Sequence, residues 1–328
     1  MQNLKTLMCA QVCALAVANA AGVCAQTSTW PTKPATFIVA AVPGGSNEAE
    51  IRLYSHKLTE NNPGKQFIVD FKPGAGGTLA AAYVARLTPD GHTLLVISPN
   101  YTIAPSVYPD ISYDPVKDLV GVTMLSKRPT VLMVHPSVPA RTAKEYFAHA
   151  KANPGKLNFG TTGAGSSPHL NGAWMHSEAG VNVQFIHYKG TGNMMPDLLA
   201  GRIQSTAISF LSSLPPIKAG KTVALGITTL ERSPLWPDLP TLAEQGLSGY
   251  DYSSWLGLVT TGGTPAPLLR SIQTEIAKAG RSQEIVKKLE PDFVQMALTT
   301  PESFQRYIAE DIARWRKLTK EAGIKAEQ

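Results

Sequence analysis

The 328-residue chain carries 30 lysines and arginines against 24 acids, a formal charge of +6. That excess is scattered and forms no basic run, which argues against a nucleic-acid partner. All three cysteines, Cys9, Cys13 and Cys24, precede Gln26, so beyond that point disulfides, cysteine metal ligands and a cysteine nucleophile are excluded together.

Lys5, the apolar stretch 7–21 and Val23-Cys24-Ala25 match the three regions of a secretory signal peptide, with cleavage expected after Ala25. Val23 stands where a lipoprotein would need a small residue before Cys24. The apolar stretch also falls short of the ~20 residues that span a bilayer. Without residues 1–25 the charge is 29 minus 24, or +5. What remains reads as a soluble exported protein, long enough for two domains at roughly 100–200 residues each.

Residues 36–42 form an apolar run that ends in the turn Pro43-Gly44-Gly45-Ser46-Asn47, and Ala49, Ile51, Leu53, Tyr54 and Leu58 follow at helical spacing. The pattern recurs: strand 66–71, the turn Pro73-Gly74-Ala75-Gly76-Gly77-Thr78, helix 79–87, then strand 93–98. This alternation predicts an α/β fold with a mostly parallel sheet. Two strands, 122–125 and 131–134, separated by Lys127-Arg128-Pro129, are read as the crossover into a second domain. There we expect helix 143–152, strand 157–159, helix 168–179, strand 183–187, helix 194–200 and strands 205–209 and 223–228. Residues 255–259 read as a strand returning to the first domain. The last helix gathers Phe304, Tyr307, Ile308, Ile312, Trp315 and Leu318 on one stripe; acids and bases share its polar face, which favours a core-facing helix over a membrane-lying one.

Three glycine-rich turns carry the chemistry: 44–47, 74–78 and 160–167. Each joins a strand to a helix, so each lies at the carboxyl edge of the sheet, where free amides at a helix start favour an anion. The third, Gly160 to Gly165, spaces its glycines like a phosphate loop, but Ser166 and Ser167 replace the lysine and the residue after it. No acid stands ready for magnesium or a ribose, so a carboxylate fits better than a nucleotide. A serine nucleophile at Ser166 or Ser167 lacks the glycine pattern of an elbow, with Ala164 before the one and His169 after the other, and no acid is identifiable to orient His169. His169 reads as a hydrogen-bond donor to the ligand or the loop. A secreted serine-dependent hydrolase stays as the alternative. His169 and His176 are seven residues apart with no acid at ligand spacing, and Asp110, Asp114 and Asp118 lack the glycine and glutamate of a calcium loop; no metal or cofactor is expected.

Taken together, Pro43-Gly44-Gly45-Ser46, Pro73 to Gly77, Pro89-Asp90-Gly91, Tyr113-Asp114-Pro115, Asn153-Pro154-Gly155-Lys156, Gly163 to Ser166 with His169-Leu170, Tyr188-Lys189-Gly190 and Pro240-Thr241 resemble the substrate-binding receptors of tripartite tricarboxylate transporters, the Bug family. The resemblance runs from Trp30 to Ile324. It implies a two-lobed, Venus-flytrap periplasmic binding protein of the type II kind with two crossovers: residues 26–128 and 252–328 in one lobe, 129–251 in the other. It also implies a monomer that delivers a small carboxylate to membrane permease subunits; a receptor that signals to a membrane sensor is a separate alternative.

By the same resemblance the carboxylate lies between Gly44, Gly45, Ser46 and Asn47 on one side and Thr162, Gly163, Gly165, Ser166, Ser167 and His169 on the other, with Gly76, Gly77 and Thr78 lining the cleft and Ser209 at the end of a central strand. Many relatives have an acid where this chain has Asn47 and Ser209. An ammonium would then lack a counterion, so a non-amino mono- or dicarboxylate is expected. Phe210 and Leu211 beside Ser209 suggest that it is aromatic.

Overall fold

The computed structural model describes residues 30–41, 43, 46–108 and 110–322. The leader and its cleavage after Ala25, and the turn residues Val42, Gly44 and Gly45, lie outside the described residues. The chain builds the same six-element run twice. First come β1 (Ala35–Val39), α1 (Ser46–Asn61), β2 (Phe67–Phe71), α2 (Thr78–Ala85), β3 (Thr93–Ile97) and α3 (Pro99–Val107), with the parallel strand order β2-β1-β3. After β4 (Leu119–Val134) and α4 (Ala143–Ala152), the run recurs as β5 (Asn158–Thr161), α5 (Ser167–Glu178), β6 (Gln184–His187), α6 (Thr191–Leu199), β7 (Ser205–Ser209) and α7 (Phe210–Lys218). Its order is β6-β5-β7, again parallel. β8 (Val223–Ile227) pairs with β4, and β9 (Ser253–Thr261) returns beside β3. The chain ends in α8 (Ala266–Gly280), α9 (Gln283–Leu289), β10 (Gln295–Met296) and α10 (Pro301–Ala322). The result is two α/β lobes, each with a parallel trio, joined through antiparallel strands.

The joint differs from the sequence reading. Residues 119–134 form one strand of 16 residues instead of two. Up to Pro129 it pairs with β9, and from Thr130 it pairs with β7 and β8. Pro129 has no N–H to give, and it sits where the strand changes partners, a position that tolerates the loss. Arg128 is buried there because Glu50 of α1, itself wholly buried, takes its guanidinium, while Ser126 Oγ donates to the same carboxylate at 3.0 Å. Arg128, which reads as part of a break, is therefore a neutralised part of the core.

Helices α3 and α7 are absent from the sequence reading; each holds proline inside it, Pro105 in α3 and Pro215 and Pro216 in α7. α3 begins with Pro99 at its first position, where the missing N–H costs nothing. On α10 the predicted stripe faces protein: Phe304, Ile308, Ile312 and Trp315 are buried. Trp315 joins Ile103 and Val107 of α3 in the core of the second lobe, against Leu170 and Trp174 of α5. Thus α3 reaches from the first lobe into the second. Among the described residues no helix is long and apolar enough to cross a membrane.

Candidate functional site

A cavity of about 300 Å³ opens at the carboxyl ends of β1 and β3. In the order β2-β1-β3 this is the point where successive connections leave in different directions, the crevice where open α/β sheets bind ligands. Among the described residues, those that line it all lie between Val39 and Tyr113, in the first lobe. Three helices begin on its rim: α1 with Asn47, α2 with Thr78 and α3 with Ser98 and Asn100. Neither α2 nor α3 has a side-chain cap on its first amides. Each such start can favour an anion by about 0.3–2 kcal/mol. Among the described lining residues there is no Asp, Glu, Lys, Arg or His.

The loop before α2 owes its shape to glycine. Gly76 has φ 62° and Gly77 φ 96°, both in the left-handed region, and Ala75 between Gly74 and Gly76 is also left-handed at 45°. A Cβ on Gly76 would approach the Tyr108 ring to 2.9 Å, and one on Gly77 would lie 3.2 Å from Ala40 Cβ. Thr78 closes the turn with its hydroxyl donating to Ala75 O at 2.9 Å.

The structure groups Asn47, Gly76, Gly77 and Thr78 on this wall, with Ser46 as the first residue of α1. Gly44 and Gly45 lie outside the described residues. The second-lobe candidates form a separate cluster between β5 and α5. Gly163 and Gly165 have φ 139° and 68°, and Ser166 caps α5: its hydroxyl donates to Gly163 O at 2.7 Å and accepts from His169 N–H at 3.4 Å. Thr162 lies half-buried on that loop. Ser167 hydrogen-bonds Tyr252, just before β9. Ser209 ends β7 at the start of α7, its hydroxyl 3.3 Å from Ser212 Oγ.

His169 departs from the expected donor role within its loop, because its Nδ1 accepts from Gly165 N–H at 3.0 Å. That bond requires an unprotonated Nδ1 and leaves Nε2 as the N–H. Burial first, and the nearby His187 second, push His169 down to about 4. Its ring is therefore neutral near pH 7, with Nδ1 held by the loop. His176 is also engaged at both nitrogens: Nδ1–H donates to Gly172 O at 2.6 Å and Nε2 accepts from Tyr146 O–H at 2.9 Å. Burial pushes it too down to about 4. Phe210 is not a pocket wall. It is buried and stacks on Phe293 at 4.3 Å, which removes half of the motive for an aromatic ligand.

Sequence reasoning missed Ser98, Asn100, Tyr101 and Tyr113 on the wall. The signal was present: a serine and a proline directly after the apolar run 93–97 mark a helix start without glycine.

The sequence matches the Tripartite tricarboxylate transporter family receptor over residues 53–324. The chain belongs to this family. Protein BugT of Bordetella pertussis is 30% identical over 309 residues, covering 93% of this chain and 94% of that protein. The R. palustris protein Rpa4515, solved with adipate, is 32% identical, with a TM-score of 0.74 over 90% of this chain and 99% of that one. MatC of Rhodopseudomonas palustris, solved with bound malate, is 27% identical, with a TM-score of 0.70 over 88% and 99%. This tripartite tricarboxylate transporter receptor thus shares the fold of periplasmic solute-binding proteins along most of its length.

Proposed function

We propose that this receptor is exported by cleavage after Ala25 and works as a monomer in the periplasm. There it captures a small non-amino mono- or dicarboxylate and hands it, unchanged, to the membrane permease subunits of a tripartite transporter. The observation that carries the reading is the uncharged cavity at the switch point of the first lobe, ringed by the starts of three helices. Helix-start amides supply hydrogen bonds and a positive potential without a countercharge, which suits a carboxylate better than a phosphate chain.

Residues 26–128 with 252–328 form one jaw and 129–251 the other. The loop with Gly163, Gly165, Ser166 and Ser167 closes over the anion, and expelling water strengthens each dipole contact. Adipate and malate in the related structures favour an aliphatic chain over an aromatic one. Thermal-shift measurements with dicarboxylates and with their diamides test this. At about 100 times Kd a bound diacid adds ~2.7 kcal/mol of stability, and the diamide adds none. Equal stabilisation by acid and amide would refute the reading.

A further inference from the structure

We propose that Asn100 and Asn47 select a hydroxy acid, the ligand's hydroxyl bridging their two carboxamides. This deepens the carboxylate reading and rests on it. The two residues hold equivalent places, each second in its helix, α3 and α1, and both line the cavity. Neither side chain makes a hydrogen bond within the protein among the described residues, whereas Thr78 and Tyr101 on the same wall donate to Ala75 O and Pro115 O. Asn100 is exposed and Asn47 half-buried, so both are hydrated while the cavity is open.

Closure removes that water, and each carboxamide then needs both a partner for its N–H and a partner for its carbonyl. The helix starts offer donors only, which suits the carboxylate. A second carboxylate could take the amide N–H groups but would leave both side-chain carbonyls facing negative oxygens. A hydroxyl serves both, accepting from one asparagine and donating to the other. A methylene in its place leaves the pair unmatched, and a site built around such a bond rejects the analogue that lacks it. An ammonium finds acceptors but no countercharge on a wall without an acid, and it meets the positive ends of three helices.

The test is isothermal titration of the chain lacking residues 1–25 with two matched series: malate, succinate and aspartate; 2-hydroxyadipate, adipate and 2-aminoadipate. In at least one series the hydroxy diacid should bind at least about 10-fold tighter than the plain diacid, with the amino diacid weakest. Asn100→Ala, at an exposed helix position, should bring hydroxy and plain diacids to within about 3-fold of each other, read as the ratio of the two affinities in the same variant. Asn100→Asp should instead raise the affinity for the amino diacid, by supplying its counterion. Equal binding of hydroxy and plain diacids by the wild type, or a preference that survives Asn100→Ala, overturns the inference and leaves the carboxylate reading standing. Failure of every member of both series to bind the wild type overturns that reading and the inference with it.

Discussion

Replacing Arg128 by methionine is expected to destabilise the receptor by about 3–5 kcal/mol, the cost of leaving a buried carboxylate without its cation. Glu50 is fully buried on α1, and Arg128 sits one residue before Pro129, where β4 passes from one lobe to the other. Ser126 Oγ would remain on the Glu50 carboxylate at 3.0 Å, and a neutral donor does not replace a cation beside a charge withdrawn from water. The double replacement Glu50→Leu with Arg128→Met should recover most of the loss, since apolar groups of similar volume can fill the place of a buried pair. Urea unfolding of the two single variants and the double variant reads this. Single variants within about 1 kcal/mol of wild type would mean that water reaches the pair.

Gly77→Val should weaken dicarboxylate binding by about 100-fold, or ~2.7 kcal/mol, by reshaping the cavity wall. The residue holds φ 96°, which a β-branched side chain strongly disfavours, and its new Cβ would face Ala40 Cβ, fixed to the end of β1, at 3.2 Å. Relief by rotating the peptide swings the amides before Thr78 away from the ligand. Gly64→Val is the control. It carries similar strain at φ 80°, has nothing within 4 Å of its new Cβ and does not line the cavity. It should lower stability while leaving affinity within about 2-fold of wild type. Titration of both variants separates the effects, and equal affinities in Gly77→Val and wild type would remove the loop from the site.

Fold class was legible because hydrophobic runs and glycine turns mark strand ends in the chain itself: the helix 143–152 and the strand 205–209 fall where the sequence places them. What it hid depends on partners distant in sequence. Arg128 reads as part of a break between two strands until Glu50, 78 residues away, is brought beside it. Phe210 reads as a pocket wall until Phe293 stacks on it. The candidate site was legible where it used glycine, as at Gly76 and Gly77, and was missed where Ser98 and Pro99 start a helix without one. The described lining of the cavity comes from the first lobe, and α5, which follows the loop of Ser166 and Ser167, shares a core with Ile103 and Val107 of α3 through Leu170 and Trp174.

The most direct measurement is a crystal structure with the natural dicarboxylate bound. The account predicts carboxylate oxygens within about 3 Å of main-chain N–H groups at the starts of α1, α2 and α3, and no lysine or arginine nitrogen at ion-pair distance. A carboxylate paired with a basic side chain, or seated away from these helix starts, would contradict it.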